Sequence, residues 1–343
     1  MSIVAKPAES VVTSSRRDGP RWQTSMRRAL RDPVQLCRTL SLPDDYQPAA
    51  QRAAGLFPLF APWEYIARMR TGDPHDPLLR QVLPLDQELD DVPGFTSDPV
   101  GDRSATLQPG LLQKYESRVL LVTTGACAVH CRYCFRRHFP YVETPPSIAA
   151  WQPALAQIAA DPTIDEVILS GGDPLTIADR QLACLARQLT RIDHLQRLRI
   201  HTRLPIMIPS RVNDQLLGWL DESRLAPIVV IHANHPREID SPVAAALARL
   251  VDSGIVVLNQ SVLLAGVNDD AEVLVDLSRT LVDLRVMPYY LHQLDRVAGA
   301  AHFEVPIARG VRLIQQLRRR LPGYAVPRYV RERPGAASKE ILC

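Results

Sequence analysis

The chain has 343 residues, 46% of them hydrophobic and 22% charged, the composition of a globular protein with a large core. A net charge of +3 is too small to argue for nucleic acid, and no run approaches the ~18–20 apolar residues that a membrane span needs. The N-terminus lacks the apolar core of a secretory signal, and the six cysteines form no disulfide framework, so a reducing cytoplasm is favoured.

Taken in order, residues 1–20 read as a disordered tail. Residues 21–105 read as an N-terminal helical region, with interrupted helical patterns in SMRRALRDPVQLCRTL, QRAAGLFPLF and APWEYIARMR. The stretch GDPHDPLLRQVLPLDQELDDVPGFTSDPVGD reads as extended and irregular, wrapping a surface without forming a core. From Arg118 short β-rich runs alternate with amphipathic helices. The strands fall at Arg118–Thr123, Glu166–Leu169, Leu198–His201, Ile228–His232, Val256–Asn259 and Val286–Leu291. Helices fit between them at 147–160, 177–192, 213–222, 241–252 and 270–283, and a sixth follows at 306–321. Six βα units in series require a parallel sheet with helices outside, because parallel strands need long crossovers. Such a chain curls into a partial (β/α)6 barrel or builds a doubly wound sheet. The strand ends favour the barrel, which would occupy 106–300, with 301–343 as a C-terminal helix and tail. Cys127, Ser170-Gly171-Gly172-Asp173, His201-Thr202-Arg203, His232, Gln260 and His292-Gln293-Leu294-Asp295 all follow strands, as the groups of a barrel active site do.

The densest chemistry is Cys127-Ala-Val-His-Cys131-Arg-Tyr-Cys134, after the first parallel strand. Thiolates ligate iron–sulfur clusters and zinc. Zinc would need a fourth ligand, His130 or His138; three cysteines on a four-iron cluster leave one iron open. The C-x₃-C-x₂-C spacing resembles that of the radical S-adenosylmethionine (SAM) enzymes. The resemblance implies a partial barrel, a [4Fe-4S] cluster on Cys127, Cys131 and Cys134, and SAM on the open iron. It also makes Ser170, Gly171, Gly172 and Asp173 the segment that holds the SAM amino group.

A second feature lies near the C-terminus, in Glu332-Arg-Pro-Gly-Ala-Ala-Ser-Lys339. The chain has only three lysines, Lys6, Lys114 and Lys339, and Lys339 alone has neighbours small enough to let an amine enter a site. With this stretch the resemblance narrows: residues from about Asp76 to Lys339 look like the lysine 2,3-aminomutases, radical SAM enzymes that also use pyridoxal 5′-phosphate (PLP). The resemblance makes Lys339 the PLP lysine and places Tyr115 and Arg118 against PLP. Arg136 would bind the α-carboxylate of the substrate L-lysine, Asp295 and Glu332 its ε-ammonium, and His232 and Gln260 would lie near SAM. It implies an isomerase moving nitrogen from the α- to the β-carbon, fed by an external one-electron reductant. Two departures stand out. Glu332 occupies a position where aspartate is usual, and Val267-Asn268-Asp269-Asp270 lacks a cysteine that longer members use for structural zinc, so that zinc is expected to be absent. Glu332 and the run Tyr289–Asp295 resemble most the short branch, whose β-lysine a ligase attaches to elongation factor P. Two other functions remain open: the same chemistry in lysine catabolism or β-lysine biosynthesis, and a non-catalytic iron–sulfur module for electron transfer or binding. Nothing in the sequence fixes the oligomeric state.

Overall fold

The computed structural model describes residues 22–145, 147 and 149–343, so the expected tail at 1–20 lies outside the described residues. Ten strands form one sheet in chain order: β1 (Thr106–Gln108), β2 (Leu111–Tyr115), β3 (Arg118–Thr124), β4 (Glu166–Gly171), β5 (Arg197–Thr202), β6 (Ala226–Ile231), β7 (Val256–Val262), β8 (Met287–His292), β9 (Arg328–Arg331) and β10 (Glu340–Ile341). Neighbours from β3 to β9 are parallel, while β1 and β2 at one edge and β10 at the other are antiparallel. The six expected parallel strands are present within one to three residues at each end. A seventh, β9, was not expected: Arg-Tyr-Val-Arg is too short and too charged for an alternating pattern to show.

The sheet is curled. Laid flat, β2 and β9 would stand seven strand spacings of ~4.8 Å apart, about 34 Å. Yet Tyr115 Oη on β2 donates to Glu332 Oε1, just beyond β9, at 2.6 Å. Among the described residues no ladder joins the two edges, so the barrel is partial.

Helices fill the crossovers: α5 (Gln152–Ala160), α6 (Asp179–Thr190), α8 (Asp214–Asp221), α9 (Ser241–Asp252), α10 (Ala271–Asp283) and α11 (Ile307–Arg320), numbered after α1 (Trp22–Arg28), α2 (Pro33–Thr39), α3 (Tyr46–Leu56) and α4 (Trp63–Ile66), with the single turn α7 (Leu204–Met207) following β5. Their starts are set by side chains that take the free first-turn amides: Asn213 from Leu216, Asp240 from Val243 and Asp270 from Glu272. On α6, Leu182, Leu185, Ala186 and Leu189 recur at helical spacing and are buried. A single apolar cluster runs from Trp22 and Leu36 through the strands to Val286, so the N-terminal helices share the barrel's core.

The stretch from Gly72 to Asp102 corrects the sequence expectation. Leu78, Leu79, Val82 and Leu83 are at most 2% exposed, and Asp76, Gln81 and Glu88 are buried with them. Its prolines and aspartates punctuate short 3-10 turns that aim apolar groups inward. Asp76 accepts the amides of Arg70, Leu78 and Leu79, so the aspartate that reads as a surface turn signal is a buried turn-former.

Candidate active site

The cysteine loop leaves β3 and is shaped by protein contacts. Arg132 donates from Nε to Glu88 Oε1 at 2.7 Å, Arg137 donates to Glu88 Oε2 at 2.8 Å, and the amide of Arg132 donates to Gln81 O. Burying two arginines on one carboxylate stabilises only when the geometry is good, and it fixes the loop's path. All three thiols are free and partly buried. Burial, together with the neighbouring cysteines, holds Cys127 well above the usual thiol range and lifts Cys134 to about 11. A metal must therefore displace protons to bind here. Zinc is disfavoured by the neighbours: His130 turns Nδ1 to Pro58 O at 2.8 Å, and His138 turns Nε2 to Ala298 O at 3.1 Å. Among the described residues, no three His, Cys, Asp or Glu side chains converge tightly enough for one metal ion. Three thiols without a fourth protein ligand fit a larger iron–sulfur group.

The glycine pair packs directly beneath this loop. A Cβ on Gly172 would lie 2.2 Å from Ala126 O, and Gly171 has φ +127, a conformation reserved for glycine. The close approach is thus backbone to backbone, and it seats the cysteine loop on β4. Asp173, assigned by the resemblance to the segment around the SAM amino group, is engaged by protein groups here. Its carboxylate already accepts from Leu175 N, Thr202 Oγ1, Arg203 N and Leu204 N, and it ties the end of β4 to that of β5. Burial outweighs those bonds and raises it to about 6. Ser170 Oγ, by contrast, accepts from Arg136 Nη1 at 3.1 Å.

Arg136 is buried, with Nε on Asp102 Oδ2 at 2.6 Å and no protein partner for Nη2 among the described residues. Asp102, which no sequence signal marked, also faces Lys114 Nζ at 2.7 Å. Burial alone would raise Asp102, but Arg136 and Lys114 hold it below the ordinary carboxylate value. Lys114 in turn lies 3.8 Å from Glu332 Oε1.

Glu332 and Lys339 belong to a hairpin. In the β9–β10 register Glu340 faces Arg331 and Ile341 faces Val330, which sets Lys339 opposite Glu332. The spacing of seven between acid and lysine is therefore a cross-strand pair, and Lys339 Nζ bonds to Glu332 Oε2. Burial would raise Glu332, but Lys339 and Tyr115 outweigh it and keep the acid ionised. Arg118 lies 4.7 Å over the Tyr115 ring and makes no hydrogen bond or ion pair among the described residues. Asp295, in the loop that follows β8, is lifted to about 7 by burial; Lys339 pulls it down and Glu332 pushes it up. A cavity of about 160 Å³ opens beside Lys114, Tyr115 and Glu332.

His232 accepts or donates at Nε2 to Tyr133 Oη, 3.1 Å away, and burial lowers it to about 3. Gln260 is half-buried on β7, paired along the ladder with Tyr290. His201 and His292, noted above only as strand-end groups, are held neutral by burial, and both feel the charge of Lys339. His201 Nε2 has no hydrogen-bond partner among the described residues.

A curled parallel sheet that presents C-x₃-C-x₂-C after its first parallel strand, with polar groups at the following strand ends, is the arrangement of a barrel enzyme with its active site at the strand ends. No protein-family model matches the chain. It is 44% identical to the L-lysine 2,3-aminomutase of Haemophilus influenzae over 335 residues, 98% of each chain. It is 46% identical to the L-lysine 2,3-aminomutase of Escherichia coli over 331 residues, 96% of each chain. Among solved structures, SuiB of Streptococcus suis superposes with a TM-score of 0.49 at 13% identity, covering 64% of this chain and 50% of that one. The chain belongs to the L-lysine 2,3-aminomutase family and is an enzyme of the isomerase class.

Proposed function

We propose that the protein converts L-α-lysine to β-lysine by 2,3-amino migration, using a [4Fe-4S] cluster, SAM and PLP, and that its (R)-β-lysine supplies the ligase that modifies elongation factor P in the cytoplasm. The observation that carries the chemistry is an unbroken charge chain from the cysteine loop to the lysine hairpin: Arg136, Asp102, Lys114, Glu332 and Lys339. It gathers residues from five places in the sequence and supplies a cation for a carboxylate, acids for an ammonium and an amine for a carbonyl. When bound, the cluster with SAM supplies a carbon radical able to abstract hydrogen, and PLP supplies the π-system over which nitrogen migrates.

This chain's residues do the rest. Cys127, Cys131 and Cys134 would hold the cluster once deprotonated, with an external reductant as electron source. Arg118, stacked on Tyr115 and without a hydrogen bond or ion pair among the described residues, suits the PLP phosphate as a bidentate donor. The Nη2 of Arg136, without a protein partner among the described residues, would face the substrate α-carboxylate, with Asp102 keeping the guanidinium in place. Lys339 must leave Glu332 and lose a proton from Nζ before its amine can meet a carbonyl. That departure frees Glu332 Oε2 beside Asp295, so the same carboxylate can take the substrate ε-ammonium. Neutral His201, His232 and His292 add no competing positive charge. Glu332 at the acid position and the run Tyr289–Asp295 support the elongation factor P branch over the catabolic one.

Borohydride reduction of PLP-loaded protein, followed by peptide mapping, should fix PLP on Lys339. Lys339→Ala and Lys339→Arg should both lose the label while retaining iron, because a guanidinium stays protonated. Label on Lys114, which sits in the same charge chain, would refute the assignment.

A further inference from the structure

Arg203 follows β5 and is 6% exposed. Its Nη1 donates to Cys131 Sγ at 2.7 Å. Its Nη2 is held by Gln81 Oε1 at 2.6 Å and Glu238 Oε2 at 2.9 Å, and its Nε has no partner among the described residues. The rings of Tyr65 and Tyr133 lie 5.7 and 5.8 Å from it, and its backbone amide is fixed by Asp173. A buried arginine needs a carboxylate, and Glu238 meets that need; a bond to sulfur is a further commitment. Arg132, next to Cys131, makes the contrast. It spends its guanidinium on Glu88, Phe57 O and Pro58 O and none of it on sulfur.

We propose that Arg203 is an electrostatic positioning residue that raises the reduction potential of the iron–sulfur group on Cys131, with Glu238 setting how much of its charge the sulfur feels. The inference rests on the cysteine triad's being a cluster site. Reduction adds one electron, supplied from outside, to the cluster, and so makes it more negative. A fixed cation bonded to a ligand sulfur stabilises that added charge, and hydrogen bonds and net charge are the protein's levers on such potentials. Nothing here involves proton transfer: the guanidinium remains charged throughout.

The test is a redox titration of the anaerobically reconstituted full chain, poised with dithionite and monitored by electron paramagnetic resonance. SAM and PLP are left out so that ligand binding cannot move the midpoint, and iron and sulfide are counted in each sample. Glu238→Gln leaves the guanidinium less neutralised and should shift the midpoint to more positive values. Arg203→Met combined with Glu238→Gln removes the cation without stranding a buried carboxylate and should shift it below both Glu238→Gln and the unaltered protein. Equal midpoints in all three at equal iron content would overturn the proposal, leaving Arg203 a purely structural residue. Should the double variant fail to assemble a cluster, Glu238→Gln decides alone, and an unchanged or more negative midpoint overturns it. Failure of the unaltered protein to bind iron would sink the cluster reading itself.

Discussion

As the proposed partner of the substrate ε-ammonium, Asp295 would be prepared for that ligand by burial. Lifted to about 7, its carboxyl is partly protonated near neutral pH, when no substrate neutralises the site. An ammonium ligand binds the ionised form, so the KM for lysine should rise as pH falls below about 7, with kcat at saturation less affected. Asp295→Asn loses a charge-assisted hydrogen bond of about 1.5–3 kcal/mol. KM should therefore increase by roughly 10- to 100-fold, and its pH dependence should flatten. The same pH dependence of KM in the Asn variant would remove Asp295 from the ammonium site. Glu332 behaves differently only because Lys339 and Tyr115 sit on it. Residue type alone marks both as acids; which one is ionised depends on neighbours from distant parts of the chain.

At the scale of elements, two close approaches decide how the site is held. Gly172 lets β4 run beneath the cysteine loop, and Gly310 on α11 lets Tyr329 of β9 lie against the helix, where a Cβ would meet the ring at 2.3 Å. Each Ala substitution overpacks its site at a cost of about 1–3 kcal/mol. Their consequences should diverge. Gly172→Ala should lower the iron bound per folded chain, because Ala126 must move with its loop. Gly310→Ala should lower the thermal midpoint yet leave iron content unchanged. Equal iron loss in both would mean that general instability, not the seating of the loop, controls the cluster. The strands of the parallel sheet were legible because Val, Ile and Leu runs mark doubly covered strands. The hairpin was not, since β9 and β10 are short and charged, although the spacing of Glu332 and Lys339 already contained its register.

Across the whole molecule, the parts named from motifs were those whose chemistry is local: Cys127, Cys131, Cys134 and Lys339. What sequence reading missed is what arrives from elsewhere. Asp102 and Gln81 come from the stretch taken for a surface wrap, and the tie that Asp173 makes between the ends of β4 and β5 has no local signature. Their roles depend on partners 29 to 122 residues away, beyond any local pattern. One reaction tests 2,3-amino migration by this protein most directly. Reconstituted protein should be incubated without oxygen with SAM, PLP, dithionite and L-lysine carrying nitrogen-15 on the α-amino group, and the product examined by carbon–nitrogen NMR. Amino migration predicts that the label moves to carbon 3 of lysine, and that Lys339→Arg, with its iron intact, leaves it on carbon 2. Cleavage of SAM with the label remaining on carbon 2 in the unaltered protein would contradict it.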